Sequence, residues 1–386
     1  MLVQTTYSQI IKTNTNVGET ITLKSEILKE NREIQIFLPD SYQETDNTYP
    51  VLYVLDGQRY FLHAVSLHKT FVGFRQTPEF IIVGITKKQS ERNRNFSSNA
   101  KTFLNAIEQD IIQYVDTNYR TSEDRLLFGW AYAGGFTIEA LINKPNLFNA
   151  YIAASPFPAS EKINAVDSLI SHNTNFDKLL YFTSDINEGV VRDGTIALNE
   201  LLINKAPESM RWNFREFIGE EHISTPFSTL YHGMITYFEY YPELQFNTLK
   251  EFLNAGGLES VYSYYQKRAS RYGFPAELSD WTMFSITRNA MRADDFEQFD
   301  KLVNTFQPTD FMSRLRVSRA CSIAEFYLKH KQYDRAIDLF NLLAEKHPNA
   351  VQPLYGLGDT YKALKKERKS SLYYKKAEKL SKTNSN

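Results

Sequence analysis

The sequence predicts an α/β fold in its first part, a mostly parallel sheet with antiparallel strands at the N-terminal edge, and an all-helical domain in its last part. Three observations predict it. First, the short apolar runs PVLYVL (50–55), FIIVGI (80–85), LLF (126–128), AYIAAS (150–155) and LLYFT (179–183) alternate with helical patterns. That is the order of a parallel sheet whose strands are buried on both faces. Second, residues 20–38 alternate polar and apolar as two antiparallel strands would. Third, beyond residue 245 strand-like runs stop and a spacing of 34 residues repeats. The boundary divides the chain into residues 1–242 and 243–386.

Taken in order, Glu19–Leu28 leads into a turn at Lys29–Asn31 and Arg32–Leu38 returns, with Pro39 ending the hairpin. PVLYVL is a buried strand followed by Asp56-Gly57, and FIIVGI is the next. Residues 86–100 are polar and read as a loop. Phe103, Leu104, Ile107, Ile111, Ile112 and Val115 mark an amphipathic helix. Strand LLF and a helix from Phe136 to Ile142 follow; strand AYIAAS stops at Pro156, and 156–177 reads as a loop. After LLYFT come a helix over Val190–Ile203, a strand over Arg211–Phe217, a loop GEEH and a helix over Pro226–Tyr240.

In the last part Phe252–Tyr265 and Trp281–Met291 read as helices, and the segment 286–308 as a degenerate repeat. Val317/Val351, Ala324/Gly358, Tyr327/Tyr361, Ala336/Ser370 and Phe340/Tyr374 then recur at a spacing of 34. Small residues at such positions let paired helices approach, and aromatics fill the gap between pairs. The period and residue order are those of tetratricopeptide repeats.

The 386 residues include 44 basic and 45 acidic ones, for a net charge of −1. That balance gives no electrostatic reason to expect nucleic acid as a partner. No apolar run approaches the ~20 residues of a membrane span. The single cysteine, Cys321, excludes an internal disulfide framework and a thiolate-rich metal site, and reads as a small buried hydrophobe. No metal-ligand spacing is present and no cofactor motif is found. The opening MLVQTTYSQIIK lacks an apolar signal core, so the sequence as written reads as cytoplasmic. With a leader already removed it would read as periplasmic or secreted.

The chain is organised around RLLFGWAYAGGF (125–136): a strand, a tight turn of small residues and a helix, the context of a nucleophile elbow. The elbow pattern is Gly-x-Ser-x-Gly, and here it reads Gly129-Trp130-Ala131-Tyr132-Ala133. The residue that should attack is an alanine.

Together with PVLYVLDGQRYF (50–61), FNAYIAASP (148–156) and GEEHISTPFSTLYHG (219–233), this stretch resembles the putative-esterase branch of the α/β-hydrolases. That branch includes siderophore esterases, S-formylglutathione hydrolases and mycolyltransferases. The resemblance implies ester hydrolysis through a serine acyl-enzyme, with a small-molecule ester as substrate and no cofactor. His222, in the loop before the last helix of the domain, is the candidate general base; the alternative is a surface histidine bonded to Glu220 or Glu221. His63, His68 and His232 read as structural. The orienting acid should follow LLYFT, where the family pattern selects Glu188 and leaves Asp185 as the alternative. Oxyanion donors should be the Tyr132 amide and an amide near Gly57 or Gln58. Trp130, Tyr60 and Phe157 are candidate pocket walls, and Arg94, in the loop with Arg92, is a candidate contact for a polar or anionic group.

Ala131 has no lone pair to attack with, so acyl-enzyme chemistry stops there. Two explanations compete: a serine parent with its nucleophile replaced, or a pseudo-enzyme that binds. The completeness of the remaining motif favours the first. A third reading is acyl transfer to an acceptor other than water. The repeats add a possible peptide partner or homodimer contact.

Overall fold

The computed structural model describes residues 16–86, 91–172 and 175–384. The opening segment read for a signal peptide lies outside them, as do residues 87–90 and 173–174 of the two expected loops. The chain divides into two compact units, Met1–Glu239 and Tyr240–Asn386.

The first unit is built on an eight-stranded sheet: β1 (Glu19–Ser25), β2 (Glu30–Phe37), β3 (Tyr49–Leu55), β4 (Ile81–Ile85), β5 (Thr121–Trp130), β6 (Ala150–Ala154), β7 (Leu179–Asp185) and β8 (Arg211–Phe217). Their order across the sheet is β1-β2-β4-β3-β5-β6-β7-β8. β2 pairs antiparallel with β1 and with β4, and every other pairing is parallel. Strands β3, β4, β6 and β7 and the second half of β5 are almost wholly buried, because helices cover both faces; this is why their sequences are continuous apolar runs rather than alternating ones. The first turn lies some residues earlier than the sequence suggests. Ser25 Oγ accepts a hydrogen bond from the Leu28 amide at 2.9 Å, which closes the turn before Lys29.

The helices of this unit are α1 (Gly57–Gly73), α2 (Arg92–Phe96), α3 (Ala100–Ala106), α4 (Gln113–Asn118), α5 (Tyr132–Asn143), α6 (Ile163–His172), α7 (Val190–Lys205) and α8 (Thr225–Tyr237). A π-helical segment, Ile107–Ile112, joins α3 to α4, so the single amphipathic helix expected there has a widened middle. α2 and α6 correct the expectation of plain loops over 86–100 and 156–177. α6 buries only Val166 and Ile170, too sparse a stripe to stand out in the sequence.

The second unit holds α9 (Leu249–Asn254), α10 (Gly257–Tyr272), α11 (Asp280–Arg292), α12 (Phe296–Thr305), α13 (Pro308–Arg314), α14 (Val317–Lys329), α15 (Tyr333–Lys346), α16 (Gln352–Ala363) and α17 (Glu367–Asn384), and no strand among the described residues. The helix expected over 252–265 is broken, because Gly256 takes φ 102° between α9 and α10. In the last two hairpins, small residues meet aromatics. A Cβ on Gly356 would lie 2.3 Å from the Phe340 ring, and one on Gly358 would lie 2.6 Å from the Tyr374 ring. No helix among the described residues is long and apolar enough to cross a membrane.

Candidate active site

β5 ends at Trp130 and α5 begins at Tyr132, so Ala131 alone makes the turn. It does so at φ 54° and ψ −117°, a region an L-residue occupies only when its surroundings force it. The surroundings do: the Ala131 amide donates to Ala154 O at 3.0 Å, and its carbonyl accepts from the amides of Gly135 at 2.8 Å and Phe157 at 3.0 Å. The turn closes this tightly because Gly129 has no side chain; a Cβ there would sit 2.3 Å from Ala133 O. Ala133, where the pattern has glycine, is fully buried.

Two loops at the carboxyl ends of the strands bring His222 and Glu188 together. His222 lies between β8 and α8, and its Nδ1–H donates to Glu188 Oε1 at 2.5 Å. That assignment leaves Nε2 with its lone pair, the form a general base needs. The His222 side chain is 46% exposed and that of Glu188 only 5%. Glu188 Oε2 accepts from Ser155 Oγ at 2.9 Å and from the Asp185 amide at 2.9 Å. The Thr225 hydroxyl stands 2.7 Å from Ser155 Oγ and 3.1 Å from His222 O. Each hydroxyl has one proton. That of Ser155 goes to the carboxylate, and that of Thr225 is shared between Ser155 Oγ and the His222 carbonyl. Ser155 thus helps to fix the carboxylate that fixes the imidazole.

Asp185 is buried in a different task. Its Oδ1 accepts from the Asn187 amide at 2.9 Å and its Oδ2 from the Glu220 amide at 3.2 Å, which ties the two loops together. A cleft of about 610 Å³ beside the pair is lined by Asp185, Asn187, Glu188, Glu220, Glu221 and His222, among others.

On the other side of the elbow, the loop after β3 turns at Asp56 (φ 56°) and feeds α1. Gly57 and Gln58 head α1 as Tyr132 heads α5, and first-turn amides have no acceptor within their own helix. Gly57 is required by packing: a Cβ there would lie 2.6 Å from the Gly84 carbonyl carbon of β4. The two turns are tied by Arg92. Its Nε donates to Asp56 Oδ2 at 2.9 Å and its Nη2 to Trp130 O at 3.0 Å. Arg92 is 6% exposed and Asp56 fully buried.

The remaining sequence candidates divide. Trp130 donates its indole N–H to His222 O at 2.9 Å, and its ring centroid lies 4.8 Å from that of His222. Phe157 stands edge-on to Tyr132 at 5.2 Å, beside the elbow. Tyr60 is 4% exposed and packed against Phe128, Trp130 and Phe227, so it is core beneath Trp130 rather than a pocket wall. Arg94 is exposed and lines a separate cleft with Ile27, Leu28 and Thr102, away from the elbow. His63 packs on Phe227, and burial lowers its pKa. Ser155 and Thr225 meet the pair without a signal in the sequence, and Arg92, expected in a loop that contacts a polar or anionic group, is turned inward to Asp56 and Trp130 O. Single polar residues at strand and helix ends look alike until the strands are aligned. Among the described residues, no group of histidine, cysteine and carboxylate side chains is placed to hold a metal ion.

Comparison with known proteins bears on the fold and on the sequence of the first unit. Residues 25–212 match the model of the esterase family, described as "Putative esterase". The ferri-bacillibactin esterase BesA of Bacillus subtilis is 26% identical over 234 residues, which are 50% of this chain and 81% of BesA. An IroE-like serine hydrolase from Shewanella oneidensis superposes with a TM-score of 0.56 at 22% identity, covering 75% of this chain and 99% of that one. An uncharacterised protein from Capnocytophaga ochracea gives a TM-score of 0.57 at 17% identity over 93% of each chain, so that likeness extends into the second unit. The first unit thus has the α/β-hydrolase fold, and its residues 25–212 are similar in sequence to the esterase family.

Proposed function

We propose that the first unit is a carboxylic-ester site of the serine-hydrolase type, present here in a form that binds its ester and does not turn it over. The observation that carries this reading is the union of a strained elbow at Ala131 with an ordered His222–Glu188 pair. Backbone strain of this kind costs roughly 1–3 kcal/mol and persists where a site uses it. With a serine at 131, its hydroxyl would lose a proton to His222 Nε2 as the oxygen attacks the ester carbonyl. Glu188 would hold the imidazolium, and the amides of Tyr132 and Gln58 would receive the oxyanion. The protonated imidazole would return its proton to the departing alkoxide, and water would release the acyl group by the same steps. With alanine, binding and oxyanion contacts remain and the nucleophile does not. The identity with a ferri-bacillibactin esterase supports an ester as ligand without selecting which one.

The test is Ala131→Ser in the full chain. It should hydrolyse a short-chain aryl ester, and the added change His222→Ala should abolish that gain. A folded Ala131→Ser chain that stays inactive on a panel of aryl and siderophore-type esters sinks the reading.

The second unit supports a separate binding role. Its last hairpins pack small residues against aromatics at tetratricopeptide spacing, and arrays of that kind present extended surfaces to peptides.

A further inference from the structure

The second unit carries a cluster of cations that its own carboxylates do not neutralise. Along α11, Trp281, Phe284, Arg288 and Arg292 follow one another at intervals of three, four and four residues, so they form one stripe. Arg319 of α14 joins them. Its guanidinium carbon lies 4.5 Å from the Trp281 ring centroid and 5.4 Å from that of Phe284. The Arg288 guanidinium lies 5.4 Å and 5.9 Å from the same two rings. Two guanidinium groups therefore share one aromatic pair. Arg288 Nε is buried and has no hydrogen-bond partner. Burial, with the charges of Arg292 and Arg319, lowers the pKa of Arg288.

The nearby carboxylates are committed elsewhere. Asp280 takes Arg314 at 2.9 Å, and Asp294 takes Lys329 at 2.5 Å and His330 at 2.9 Å. Asp295 caps α12 by accepting from the Gln298 amide at 3.0 Å. Among the described residues no ion pair includes Arg288, Arg292 or Arg319. Like charges held together in a partly desolvated place repel, and an arriving anion relieves that repulsion.

We propose that this face of α11 and α14 is a docking site for an acidic, extended peptide segment, whose carboxylates are taken by Arg288, Arg292 and Arg319. The chemistry fits a carboxylate, because a guanidinium stacked on a ring still offers its N–H edge for bidentate pairing. The length fits a peptide. Trp281 to Arg292 spans about 16 Å of helix at 1.5 Å per residue, more than one small anion covers. Arg288 and Arg292 stand about 6 Å apart along the axis. Carboxylates on alternate residues of an extended chain recur every ~7 Å on one face, close to that spacing.

The test uses the full chain and a fluorescein-labelled octapeptide of alternating aspartate and serine, followed by anisotropy at low ionic strength. Binding should saturate, weaken steeply with salt, and vanish when asparagine replaces aspartate in the peptide. Arg288→Gln with Arg319→Gln should weaken it at least 10-fold. Arg292→Gln, at an exposed position, should weaken it several-fold while circular dichroism stays unchanged. Unchanged affinity in a folded Arg292→Gln chain overturns the proposal. So does displacement of the labelled peptide by inorganic phosphate at the concentration at which unlabelled peptide displaces it, since the site would then hold a small anion only.

Discussion

Trp130 and His222, 92 residues apart, are joined twice: the indole N–H donates to the His222 carbonyl at 2.9 Å, and the two rings lie 4.8 Å apart. Trp130 is the last residue of β5, directly before the elbow. The loop that carries the imidazole is therefore anchored to the strand that carries Ala131. Glu188 approaches the same imidazole from the loop after β7, so the end of one strand and the loop after another converge on a ring carried by a third segment.

Ser155 should act on catalysis through Glu188. In a chain carrying Ala131→Ser, the further change Ser155→Ala removes one of the donors to Glu188 Oε2. Steady-state kinetics should show kcat lowered by about 10-fold with KM little changed, as expected when an orienting contact is lost. Equal losses in kcat from Ser155→Ala and from a neutral core change would argue against a positioning role.

Arg92 should be a stability residue as much as a site residue. Its partner Asp56 is fully buried, and removing Arg92 takes away the cation that balances a buried carboxylate. Arg92→Met should cost about 3–5 kcal/mol in urea unfolding. An Arg92→Met chain with an unshifted midpoint would show that the pair is not needed.

His68 should make the first unit sensitive to acid. It is buried between Phe37 and Phe80, and burial pushes its pKa down to about 4 from 6.5, helped by Lys69. The folded chain thus keeps His68 neutral down to about pH 4, whereas the unfolded chain protonates it near 6.5. Between those values the unfolded state binds more protons, so stability is complete above pH 6.5 and falls as pH drops towards 4. The full effect is on the order of 3 kcal/mol. His68→Phe should remove this part of the slope, measured as the urea midpoint at pH 7.5 against pH 5.

Gly356 should tolerate no larger side chain. A Cβ there meets the Phe340 ring at 2.3 Å. Gly356→Val should lower the thermal stability of the helical unit by roughly 1–3 kcal/mol through overpacking. The added change Phe340→Leu should restore part of it.

The sequence by itself determined the parts that rest on local pattern. Continuous apolar runs named the buried strands, because a strand covered on both faces has no polar side to show. The elbow was legible because strand, small turn and helix lie within a dozen consecutive residues, and the 34-residue spacing because each hairpin repeats its own packing problem. The π-helical segment and α6 were not legible, since one keeps the apolar spacing of an ordinary helix and the other buries only two residues. What only the tertiary structure decided is which polar side chains meet. Glu188 rather than Asp185 faces His222 because Asp185 is the last residue of β7, pointing to bonds that tie the loops, while Glu188 lies three residues on, where the chain has already turned. Ser155 reaches Glu188 because β6 and β7 pair in parallel, with Ala154 opposite Thr183, so their carboxyl ends emerge side by side. Arg92 finds Asp56 and Trp130 O because β3 and β5 are neighbours in space, although dozens of residues separate them along the chain. Register across the sheet sets these contacts, and no stretch of sequence carries that register alone.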